Sequence, residues 1–133
     1  MASVFTRIIE GELPGRFVHT DDVCVAFLSI NPLKPGHTLV VPRVEVAHWI
    51  DLDAETWAHL CAVSQRIGRA LERAYSPAKV GMMLAGLEVP HVHVHLVPID
   101  GVHDLDFANA EASPDPAELD RAHETVRAAV ETG

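Results

Sequence analysis

The order of elements along the chain predicts an α+β fold: an antiparallel sheet of about five strands, one long helix and short terminal helices. Three observations carry this. Short β-prone runs at 16–20 and 23–28 flank Asp21-Asp22, the pattern of a hairpin. A third such run at 37–41 precedes the one long amphipathic stretch, 53–75. Two more β-prone runs, 80–85 and 89–97, come after it. Strands in a run, then a helix, then strands again is the order of an α+β fold rather than of repeated β-α-β units.

Taken in order, Ser3 caps a short helix through Ile9, and Gly11, Pro14 and Gly15 then break the chain. Asn31-Pro32 and Pro35-Gly36 mark a loop, after which the strand from His37 to Val41 is closed by Pro42. Asp53 is placed to cap the long helix, with Leu52 stapled onto Trp57 across the cap. Trp57, Leu60, Val63, Ile67, Leu71 and Ala74 recur every three or four residues and form one apolar stripe. Arg66, Arg69, Glu72 and Arg73 lie off it, on a solvated face. Ser76-Pro77 stops the helix. The last two strands flank Gly86, residues 100–116 form an irregular strap, and 117–130 form a terminal helix.

At 133 residues the expectation is one domain, 1–133, with 101–133 as its C-terminal strap and helix. Hydrophobic residues at 48% and charged residues at 22% suit a soluble globular chain. A net charge of −9 argues against a nucleic-acid surface, which needs clustered Lys and Arg. A small anionic substrate remains compatible, because backbone N–H groups and imidazoles can oppose the global field. Cys24 and Cys61 stand apart with no CxxC spacing, which reads as two reduced thiols. There is no basic-then-apolar leader and no apolar run of about 18 residues. A cytoplasmic location without membrane contact is expected.

The most informative segment is His91-Val92-His93-Val94-His95-Leu96-Val97-Pro98. In an extended strand alternate side chains share a face about 6.6 Å apart, so three imidazoles line up with His93 in the middle while the valines enter a core. Imidazole can act as nucleophile, acid, base or metal ligand near neutral pH. His37, just after Pro35-Gly36, is a fourth candidate; taken alone it reads as a structural histidine.

This His-φ-His-φ-His-φ-φ run, with φ apolar, resembles the signature of the histidine triad (HIT) superfamily of nucleotide hydrolases and transferases. Ala85-Gly86 resembles the family's Ala-Gly-Gln element. The run from Asn31 to Pro42 resembles its Pro-x-x-Pro-Gly-His-x-Leu-Val-x-Pro segment, and Phe5 to Pro14, Asp21-Asp22 and Ala26-Phe27 resemble its N-terminal portion. The resemblance implies a HIT-like sheet and a homodimer joined through the sheet and long helix. It also implies attack by the middle histidine, His93, on the α-phosphorus of a purine nucleotide, giving a nucleotidyl-histidine that water cleaves. By the same likeness, His95 touches the phosphate and helps protonate the leaving group, and His91 and His37 complete a cluster that orients it. Val4, Phe5, Ile8, Phe27 and Ile30 fall where the family sandwiches the base, although such residues are also ordinary core. A backbone carbonyl is expected to hold the other nitrogen of His93 and fix its tautomer. No cofactor and no metal is expected.

Three positions depart from the family pattern. Ser29 stands where relatives carry an aspartate for the ribose hydroxyls, Leu87 replaces the glutamine, and Glu88 takes the place of a small hydroxyl residue. Glu88 is expected to face away from the phosphate, which it would repel. The likeness favours a nucleoside phosphoramidase over a dinucleoside polyphosphate hydrolase. Two other classes stay open: a nucleotide-binding module with little turnover, and a His-rich metal-binding protein.

Overall fold

Local bonding at chain reversals and alternation along strands build the architecture. The computed structural model describes residues 2–133. Helix α1 (Val4–Ile9) starts at Ser3, whose hydroxyl accepts the Thr6 N–H at 3.0 Å. β1 (Phe17–Thr20) and β2 (Cys24–Leu28) form the hairpin. At its turn Asp21 Oδ1 accepts the N–H groups of Val23 and Cys24 at 2.7 and 2.8 Å, the bonding that makes aspartate a turn former. β3 (Thr38–Pro42) follows the proline-rich loop. α2 (Ala54–Tyr75) begins at Asp53, which accepts the Thr56 N–H at 2.7 Å, and ends at Ser76 in the left-handed region with φ 48°.

β4 (Lys79–Met83) and β5 (Val94–Ile99) complete a five-stranded sheet in the order β1-β2-β3-β5-β4, with every neighbouring pair antiparallel. Two short 3-10 turns, Val102–Leu105 and Phe107–Asn109, lead to α3 (Pro116–Thr132), which packs on α2 and β1.

Alternation sorts the sheet into two faces. Cys24, Ala26 and Leu28 of β2, Val40 of β3, and Val94 and Leu96 of β5 face the helices. There they meet Leu60, Val63, Ile67 and Leu71 of the α2 stripe and Ala122 and Val126 of α3. Val25, Phe27, Leu39 and Val41 point the other way and pack with Phe5 of α1. That second face is only partly covered, and the candidate site lies on it.

Two strands differ from the sequence expectation. β5 begins at Val94 instead of residue 89, so His91 and His93 precede the strand. The register pairs Val40 with Val94, so Val92 would continue opposite Pro42, which has no N–H to give. The Val92 N–H instead bonds Val46 O at 2.8 Å. β4 stops at Met83 rather than residue 85, ahead of Gly86, whose φ of 72° turns the chain.

Candidate active site

The loop before β3 places His37. Gly36 has φ +92°, and a Cβ there would lie 2.5 Å from the Tyr75 ring, so only glycine fits the turn. His37 Nδ1 then accepts the Leu33 N–H at 3.0 Å. Its proton must therefore sit on Nε2, which donates to His95 Nδ1 at 2.9 Å. This in turn puts the proton of neutral His95 on Nε2. The sheet register explains the meeting: Leu39 opposes His95, so His37 and His95 are diagonal neighbours on one face.

His93 is held differently. Its Nδ1–H donates to the carbonyl of His91 at 2.7 Å, leaving an unshared pair on Nε2. Its ring lies 4.8 Å from that of His95 and 4.8 Å from Phe5, edge to face in both cases. The His91 ring bonds to no other imidazole. Its Nε2–H donates to Pro42 O at 2.7 Å, and Nδ1 receives the Ser3 hydroxyl at 2.7 Å. That hydroxyl also caps α1. Glu45 Oε1 fastens the arrangement by accepting the Ser3 N–H and the Thr6 hydroxyl, both at 2.7 Å. The roles of Thr6 and Glu45 were not evident from the sequence, and Ser3 was recognisable there only as a cap.

All four rings are buried, His37 at 2%, His91 at 0%, His93 at 7% and His95 at 8% exposure. Burial, with the neighbouring His95 and His93, pushes His37 down to about 3. Burial and His93 push His95 down to about 4. Burial also lowers His93 and His91, partly offset by their bonds to the His91 and Pro42 carbonyls. The cluster is therefore neutral at pH 7, and each ring has one defined tautomer.

In front of His93 and His95 opens a cavity of about 840 Å³. Val4, Phe5, Ile8, Phe27, Ser29 and Ile30 all line it, as do His37, His93 and His95. Phe5 meets Phe27 edge-on at 5.7 Å. His91 does not line it, although the resemblance implies that it joins His37 in the cluster around the phosphate. The ring is held instead between Ser3 and the Pro42 carbonyl, and it is the backbone carbonyl of His91 that bonds His93. Glu88 does line the cavity, against the expectation that it faces away. Its charge favours the protonated form of His93.

The strap also contributes, with Phe107 5.0 Å from the His95 ring and Ala110, Glu111 and Ala112 on the wall. Asn31 Nδ2 donates to Glu111 O at 2.9 Å and ties the strap down. An Asp-, Ala- and Pro-rich segment offered no signal for this. Among the described residues, the group whose donor atoms cluster as for a metal is His19, Asp21 and Cys24 rather than the row at 91–95.

Comparison with known proteins agrees with this architecture. A HIT domain family model matches residues 10–102. A HIT-like protein of Borreliella burgdorferi is 37% identical over 102 residues, covering 71% of this chain and 73% of that one. A bifunctional bis(5′-adenosyl)-triphosphatase/adenylylsulfatase of Arabidopsis thaliana is 31% identical over 93 residues, 66% of this chain and 52% of that protein. The crystal structure of a zinc-bound histidine triad family protein from Mycobacterium smegmatis superposes with a TM-score of 0.83 at 30% identity, over 99% of this chain and 95% of that one. With the family model spanning well over half the sequence and the fold shared nearly end to end, this chain belongs to the HIT domain family.

Proposed function

We propose that the protein is a nucleotide hydrolase that works at the α-phosphate of a purine nucleotide through a covalent nucleotidyl-His93 intermediate, with a phosphoramidate as the preferred substrate class. The observation that carries this is the Nδ1–H bond of His93 to the His91 carbonyl at 2.7 Å. It leaves Nε2 unprotonated on a ring that burial keeps neutral. Nε2 attacks phosphorus and the bond to the leaving group breaks. Water then attacks the phosphorus of the adduct and releases the nucleoside monophosphate and free His93. The leaving group gains a proton from solvent in the first step, and the attacking water loses one in the second.

His95 presents Nε2–H because its Nδ1 is occupied by His37. It serves as a hydrogen-bond donor to an α-phosphate oxygen. The neutral His37–His95 pair cannot surrender that proton outright without leaving an imidazolate, so solvent is the net proton source. His91 and His37 are positioning residues in this scheme. The apolar end formed by Val4, Phe5, Ile8, Phe27 and Ile30 suits a base, and Ser29 is left to meet the sugar with one neutral hydroxyl instead of a carboxylate.

Glu88 and Glu111 on the cavity wall favour an amine over a polyphosphate as leaving group, since two carboxylates repel added phosphates. A homodimer and a cytoplasmic location fit the same reading. β4 is an edge strand carrying Met82 at 55% exposure, both cysteines are free, and no helix of residues 2–133 is long and apolar enough to cross a membrane. The test is incubation with adenosine 5′-phosphoramidate and, separately, diadenosine polyphosphates. The expected outcome is faster AMP release from the phosphoramidate, abolished in His93→Asn. A second reading, a nucleotide-binding module with little turnover, is favoured by the charge of Glu88 beside His93; tight binding of AMP without AMP release would select it.

A further inference from the structure

A second group of chemistry-bearing residues lies at the β1–β2 turn, and none of its members lines the nucleotide cavity. Asp21 Oδ2 receives His19 Nε2 at 2.6 Å and His59 Nε2 at 2.8 Å, and the Cys24 thiol donates to it at 3.7 Å. The register explains the convergence. His19 opposes Ala26, and Cys24 and Ala26 face the helices, so His19 shares their face. A bulge between Phe17 and His19 permits this. His59 enters from the first turns of α2. The other carboxylate oxygen of Asp21 is committed to the Val23 and Cys24 N–H groups, which fixes the direction of Oδ2.

We propose that His19, Asp21, Cys24 and His59 form a binding site for a zinc-class divalent cation, separate from the nucleotide cavity. Two imidazoles, one thiolate and one carboxylate are a borderline-soft donor set, suited to zinc or cobalt and unsuited to magnesium or calcium. A dication with one thiolate and one carboxylate makes a charge-neutral centre, as a half-buried site requires. Around tetrahedral zinc a sulfur and an oxygen ligand lie about 3.6 Å apart and a nitrogen and an oxygen about 3.3 Å. The sulfur–oxygen separation already matches at 3.7 Å. His19, now at hydrogen-bond distance, would withdraw by about 0.7 Å, and His59, which touches Asp21 but lies outside the close cluster of His19, Asp21 and Cys24, would also have to swing toward it.

Without an ion the Cys24 thiol keeps its proton, which it donates to Asp21 Oδ2. Binding exchanges that proton for the metal–sulfur bond. Each imidazole moves its proton from Nε2 to Nδ1 with no net loss. At His19 this displaces Arg66, whose Nη2 donates to Nδ1 at 2.9 Å from an exposed side chain. Arg43, bonded to Asp21 O through Nε, is the other nearby cation.

The intact protein is titrated with cobalt(II). The expected result is one equivalent with tetrahedral d–d bands and a thiolate-to-cobalt charge-transfer band. Both bands are lost in Cys24→Ser and at least about 10-fold weakened in affinity in His59→Gln. His59 is only half-buried, so His59→Gln keeps the test interpretable if Cys24→Ser does not fold. The signal persists in Cys61→Ser and His93→Asn, and Arg66→Gln binds more tightly. Absence of the thiolate band, its survival in Cys24→Ser or unchanged affinity in His59→Gln overturns the proposal.

Discussion

Two sets of side chains alternate along residues 92–96 and meet opposite surroundings. Val92, Val94 and Leu96 are packed against α2 and α3, with exposures of 2% each. His93 and His95 point to the other side, where one wall is the 840 Å³ cavity. The valine side is redundant chemistry: any apolar residue of the right volume satisfies it. The histidine side is specified atom by atom, since each ring nitrogen has an assigned donor or acceptor role. Stability and reactivity are thus separated by a single step along the chain.

Substitutions on the two sides should therefore fail in different ways. On the reactive side, His93→Ala is expected to lower the rate of AMP release by at least about 10⁴-fold while leaving the unfolding midpoint close to that of the parent; steady-state kinetics and urea unfolding read both. His95→Ala removes a donor to the phosphate and should cost roughly 10²–10³-fold in kcat with less effect on nucleotide binding. On the packed side, Leu96→Ala should lose about 2–5 kcal/mol of stability from cavity formation, and keep its catalytic rate at temperatures where it stays folded. A large kcat loss in Leu96→Ala without destabilisation would show that the two sides are not separable.

The neutral imidazoles give the comparison a pH signature. In the unfolded chain histidine titrates near 6.5, whereas in the fold His95 and His37 titrate near 4 and 3. Between these values the unfolded state binds more protons, so stability falls as pH is lowered from about 6.5 toward 4 and is level above that. Urea midpoints measured across this range should show the slope, and His37→Asn should make it shallower. The smallest effect is expected in Ser3→Ala, which removes the α1 cap and the donor to His91, at about 1–3 kcal/mol.

Much of the fold was legible because its signals are local. The Asp21 turn, the Asp53 cap and the Trp57-to-Leu71 stripe each depend on residues within a few positions of one another. The HIT resemblance and the lining residues Val4, Phe5, Ile8, Phe27, Ser29 and Ile30 were likewise available from motifs. What the sequence hid depends on distant pairings. Pro42 ends the ladder for residues 91–93 from nearly fifty positions away, and its carbonyl holds the His91 ring. Glu45 reaches Ser3 and Thr6 across forty residues, and Phe107 meets His95 from a segment with no periodicity. His19 and His59 carried no motif because the atom they share belongs to Asp21.

The reading of the reactive side rests on His93 Nε2 becoming bonded to phosphorus. Rapid quenching of the protein with adenosine 5′-phosphoramidate, followed by intact-mass measurement and peptide mapping, tests this directly. The expected result is one nucleotidyl group on His93 that forms and decays at rates compatible with turnover and is missing in His93→Asn. AMP release at the full rate by His93→Asn, or an adduct mapped to a different residue, would contradict it.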